Sequence, residues 1–103
     1  MAVNIKISPK ISAKLTAKHS VSEAEVWECF ANVEGGFLVD DREDHQTDPA
    51  TYWFVAETNH GRKLKVCFVP EAEGKRIKFV NLKTAFAASD KDVVVYRKKA
   101  LAK

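Results

Sequence analysis

Apolar and polar positions along the chain change period twice, and each change marks an element. Ile5 and Ile7 alternate with Lys6, which predicts a short first strand. Ser8-Pro9 then reads as an N-cap followed by proline at the first helical position, opening a helix over Pro9–Lys18. Ile11 and Leu15 lie four apart on its apolar side, and Lys10, Lys14 and Lys18 repeat that spacing as a second stripe. Ser22-Glu23-Ala24-Glu25 has the form of a capping box, in which the Ser22 hydroxyl accepts from the Glu25 N–H and the Glu25 carboxylate reaches back. Val21 and Val26 flank it as a hydrophobic staple. Val26, Trp27 and Phe30 are the inward residues of this second helix, which ends near Gly35-Gly36.

Beyond the glycines the period becomes two. Strands are predicted at Phe37–Val39, Thr51–Thr58, Lys63–Val69 and Arg76–Leu82, with a polar loop from Asp40 to Ala50 and turns at Asn59-His60-Gly61 and Gly74. Pro70 is expected to end its strand. Ser89-Asp90-Lys91-Asp92 opens a last helix, with acids at its positive end and Arg97, Lys98, Lys99 and Lys103 at its negative end. Val93, Tyr96 and Ala100 would face the sheet. The predicted order is β-α-α-β-β-β-β-α. This is a single α+β domain over residues 1–103, an antiparallel meander of about four strands packed with two N-terminal helices and one C-terminal helix.

Composition narrows the class. At 103 residues the chain is one domain, and 46% hydrophobic with 30% charged residues is ordinary for a folded soluble protein. No apolar run approaches the ~20 residues of a membrane span, and the first residues lack the pattern of a secretory signal. Cys29 and Cys67 are too few for a disulfide scaffold and read as small buried hydrophobes, which suits a reducing cytoplasm. A net charge of +3 permits nucleic-acid contact without demanding it.

The residue order resembles a known family. Lys18-His19-Ser20-Val21-Ser22 is similar to the Lys-His-Gly-Val-Ser segment of the BrnT-type toxins, with Ser20 in place of the glycine. Gly61-Arg62 before a strand resembles their Gly-Arg motif. Ile77 to Ala85, followed by Tyr96, resembles their Ile-Arg-Ile-Ile-Ser-Ala-Arg strand and final helix, with Lys83 standing nearest the arginine. The likeness runs from Lys14 to Arg97. It implies a RelE-like fold, cleavage of RNA without a metal or other cofactor, and a DNA-binding antitoxin as protein partner.

Cleavage of that kind needs a base for the 2′-hydroxyl, an acid for the leaving oxygen and cations for the charged phosphorane. His19, His60 and Tyr96 are the candidate proton carriers, and Arg62, Lys83 and Arg97 the candidate cations. Four of them have a plainer reading: His19 as a helix cap, His60 as a turn residue, Tyr96 as core, and Arg62 as a hairpin arginine paired with Glu57. If Leu64, Val66 and Phe68 face the core, Lys63 and Lys65 point away, and Arg76 and Lys78 do so on the next strand. Four cations would then form one face, for RNA phosphate or an acidic partner surface, or else a solvated one. The acidic run Asp40–Asp48 contains His45. It lacks the glycine and terminal glutamate of a calcium loop and a second histidine at zinc spacing, so no metal site is assigned. Trp53 lies opposite Tyr52 and Phe54, and helices are expected to cover one of these two faces and a partner the other. Two other classes remain open: a non-catalytic RNA- or protein-binding domain, and a mobile-element accessory protein that forms a homo-oligomer through its sheet.

Overall fold

The computed structural model describes residues 4–39, 50–74 and 76–101, and at 72, 73, 76, 77 and 101 the backbone only. The acidic run at 40–48 and Lys103 lie outside the described residues. The chain is α+β. In order it forms β1 (Ile5–Lys6), α1 (Pro9–Lys14) continued by a π-helical turn (Leu15–His19), α2 (Glu23–Asn32), β2 (Leu38–Val39), β3 (Tyr52–Glu57), β4 (Lys63–Glu73), β5 (Arg76–Ala87), and α3 (Asp90–Tyr96) continued by a second π-helical turn (Arg97–Leu101).

Among the described residues one five-stranded sheet forms, in the order β1-β5-β4-β3-β2. The pairs from β2 to β5 are antiparallel, and β1 adds in parallel to β5, with Ile5 beside Val80. The sheet is therefore mixed: β2 to β5 follow one another as antiparallel neighbours, and β1, which the pattern did not place, adds in parallel at the β5 edge. The tight turn at 58–61 makes β3 and β4 antiparallel, whereas β1 and β2 lie at opposite edges because α1 and α2 carry the chain across the sheet.

Helix starts follow their caps. Ser8 Oγ accepts from the Ile11 N–H at 3.2 Å. Ser22 and Glu25 form the complete capping box, with N–H donors at 3.2 and 3.1 Å. Ser89 and Asp92 form a second one, both bonds at 3.1 Å. Val21 and Val26 are buried together beside the middle cap.

Helices lie on both faces of the sheet. Phe54, Val66, Phe68 and Ala85 share one face and pack under α1 and α2. Phe30 of α2 meets Phe54 at 4.8 Å and Phe68 at 5.4 Å, and Phe37 closes over Phe68 at 5.0 Å. The Cys29 thiol lies 3.7 Å from the Ala56 carbonyl; burial pushes it up to about 12, so it is inert as a nucleophile. Trp53, Val55 and Lys65 share the other face, under α3, where Tyr96 meets Trp53 at 5.9 Å. No helix among the described residues is long and apolar enough to cross a membrane.

Two strands outrun their expected ends. β4 continues through Pro70 to Glu73, and β5 through Leu82 to Ala87. Among the described residues, pairing of β3 with β4 stops at Tyr52–Phe68 and none continues on that side of β4 beyond Phe68, so a proline is tolerated there. β5 is also one residue longer than β4 at two register shifts, once at Lys83 and once at Lys78. Such bulges re-aim the extra side chain and deepen the local twist.

Candidate functional site

The turn joining β3 to β4 is tightly bound. Thr58, buried, donates its N–H to the Arg62 carbonyl at 2.8 Å and accepts the Gly61 N–H on its own carbonyl at 2.9 Å. Its hydroxyl oxygen accepts from the His60 and Arg62 N–H groups at 3.3 and 3.2 Å. Gly61 sits at φ +83°, where an L side chain would be strained. The turn is also fastened to α2. The Asn32 amide donates to the Glu57 carbonyl and to Asn59 Oδ1, both at 2.9 Å, and Asn59 N–H donates to Glu28 at 2.9 Å. His60 is held exposed at the tip.

Arg62 reaches from this turn to the junction of the first two helices. Its Nη1 donates to the Ser20 carbonyl at 2.7 Å and lies 3.2 Å from Glu25 Oε2, while Nη2 donates to the His19 carbonyl at 3.1 Å. The last carbonyls of a helix lack internal partners and carry its negative end, so a guanidinium there meets both needs. The ion-pair partner is Glu25, not Glu57. The Ser22 N–H holds the Glu25 carboxyl below its ordinary range, against the push of burial, and Arg62 adds to that. The chain reverses at Ser20, in the left-handed region at φ +52°.

Beside the turn, a cleft of about 670 Å³ opens between the end of α2, the strands and α3. Lys63 and Arg97 bring cations to it, and Glu34 and Glu57 bring carboxylates; all four are exposed. Tyr96 is buried in its wall and donates its hydroxyl proton to the Gly36 carbonyl at 2.7 Å. Burial pushes the Tyr96 phenol up, so it stays protonated across the neutral range.

The face of four exposed cations does not assemble as the alternation predicted. Lys65 points away from Val66, as expected, but α3 covers that side: Lys65 Nζ lies 3.3 Å from Asp92 and 4.6 Å from the Trp53 ring centre. The same helix buries Trp53, which therefore has an internal cover. Burial raises the Asp92 carboxyl, yet the Ser89 hydrogen bonds and Lys65 outweigh it and the net displacement is downward. Lys63 stays exposed at the cleft. Arg76 opens β5 opposite Glu73, with its side chain outside the described ones, while Lys78 and Lys83 are exposed at the two bulges.

Tertiary structure thus brings six of the ten candidates to one end of the sheet. His60, Arg62 and Lys63 come from the turn, Tyr96 and Arg97 from α3, and His19 from the end of the first helix, its ring 5.7 Å from Phe86. Lys63, Tyr96 and Arg97 line the cleft itself; His19, His60, Arg62, Lys65, Lys78 and Lys83 do not. The Arg62–Glu25 pair and the bonds of Asn32 to the turn escaped sequence reasoning; each acts across more than 20 residues of chain, and no local pattern marks such partners.

These features define a small α+β domain with helices on both faces of a mixed sheet and a cleft of mixed charge at one sheet end. The chain matches no family model, no curated protein and no solved structure at a significant level.

Proposed function

We propose that the protein is a toxin-like RNA-cutting domain of RelE/BrnT type, acting in the cytoplasm with a small DNA-binding antitoxin as partner. The observation that supports it best is the meeting of Lys63 and Arg97 at one cleft, with His60 exposed at the tip of the neighbouring turn and the His19 carbonyl held by Arg62 from that same turn. Lys63 and Arg97 supply charge for a phosphorane, and the histidines are the candidate proton carriers. A second point favours the family reading. The BrnT-type segment has glycine where this chain has Ser20, and Ser20 occupies a left-handed conformation that glycine adopts without cost.

A non-catalytic RNA-binding domain is the second reading, and Arg62 favours it. Its guanidinium already serves two carbonyls and Glu25, which leaves less of it for a scissile phosphate. One experiment separates the two. Purified protein is incubated with RNA in the presence of a chelator, alongside Arg97→Ala and Lys63→Ala. Cleavage that falls about a hundredfold in Arg97→Ala, with melting temperature unchanged, supports the enzyme. RNA binding without cleavage supports the second reading. Growth arrest on expression, relieved by the product of a neighbouring reading frame, tests the antitoxin partner.

A further inference from the structure

The first 22 residues hold Lys6, Lys10, Lys14, Lys18 and His19 and not one carboxylate, in a chain whose remainder carries all 14 acids. Folding turns this imbalance into a surface. Lys10, Lys14 and Lys18 are all exposed on the first helix, four residues apart, and among the described residues none of the three has an ion-pair or hydrogen-bond partner. Like charges at this spacing repel and cost the helix stability.

Geometry says where the stripe points. Ile11 and Leu15 face the core, Leu15 fully buried. The Ser12 hydroxyl donates to Glu23 at 2.7 Å, so the Ser12 flank of the helix faces α2. At ~100° per residue, Lys10 and Lys14 of α1 fall on the opposite flank, away from α2 and its acids, and Lys18 follows, exposed, in the π-helical turn. Its upper end is His19, whose carbonyl is gripped by Arg62 at the sheet end where the candidate site lies.

We propose that Lys10, Lys14 and Lys18 form a track for the phosphate backbone of single-stranded RNA, leading along the first helix towards the β3–β4 end of the sheet. It rests on the RNA reading of that site and adds to it the means of holding a strand. Three ammonium groups repeating along one line suit a polyanion with repeating charges. They carry no base-reading groups, so their grip on the strand is indifferent to sequence.

The test is the salt dependence of binding to a fluorescent single-stranded RNA, for the parent, for the variant K10Q/K14Q/K18Q and for Arg97→Ala. Glutamine keeps the helix propensity of lysine, and circular dichroism checks the fold. Taking one ammonium off the phosphate backbone flattens the plot of log affinity against log salt by about 0.7, so the triple variant should show a slope shallower by about 2. If the triple variant does not fold, Lys14→Gln and Lys18→Gln must each flatten the slope by about 0.7. An unchanged slope in a parent that binds RNA overturns the track and leaves the site reading standing. A flattened slope with Arg97→Ala indifferent in both binding and cleavage keeps the track and overturns the site. Binding of polyglutamate but not RNA, abolished in the triple variant, assigns the stripe to an acidic protein and overturns the proposal, as does binding of neither.

Discussion

Ser20 is the one non-glycine residue with positive φ among those described, and it links the π-helical turn to the α2 cap. A left-handed conformation costs an L residue ~1 kcal/mol or more. Ser20→Gly should therefore raise stability by about 0.5–1 kcal/mol in urea unfolding, while Ser20→Val should lower it. Two residues on, Ser22→Ala removes the N-cap and should cost about 1 kcal/mol. Arg62 stands against the same junction. Arg62→Ala should lower stability by about 1.5 kcal/mol, since its bonds are charge-assisted though partly exposed, and Arg62→Lys should not rescue it because one ammonium cannot span three acceptors. An arginine kept only for phosphate would leave the melting temperature where it was, and that result would refute the clamp.

α3 is an element whose place depends on one largely buried pair. Asp92 completes its capping box and also meets Lys65, which lies against Trp53. Removing one member of such a pair strands the other charge in the interior. Asp92→Ala should cost about 3 kcal/mol, combining the missing cap with the stranded ammonium. Lys65→Met keeps the apolar stem over Trp53 and should cost much less, about 1 kcal/mol. Equal losses in the two variants would mean that the cap alone matters. The helix positions were legible because capping signals are local: Ser8, Ser22 and Ser89 each bond a backbone N–H three residues on. The end of β4 was not, because Pro70 is excluded from a strand only where its neighbour needs a hydrogen bond, and that depends on how far β3 reaches.

Over the whole molecule, Glu25 and Asp92 couple stability to acid. Both carboxyls lie below their ordinary values, 4.5 and 3.8, in the folded state. The stability they contribute is complete above those values and is lost as pH falls through the lower folded ones. Urea midpoints measured from pH 7 down to pH 3 should drop, and Glu25→Gln with Asp92→Asn should flatten that limb while lowering the plateau. A parent curve no steeper than the double variant's would show that neither pair is formed in solution. Charge at this scale also separates what can be read in the chain from what cannot. The α+β class, the caps, the alternation of Phe54 against Trp53 and the lysine stripe were all readable from the residues, because each depends on neighbours within about four residues or on a two-residue period. Which face was covered emerged from the packed fold alone. Lys65 and Lys63 alternate with the same core residues, yet α3 buries one and leaves the other at the cleft. Packing likewise put β1 into the sheet in parallel and set Arg62 against Glu25, 37 residues away in the chain. Local pattern carries the direction of a side chain relative to its own backbone, and the side chain's environment is set by elements far along the chain.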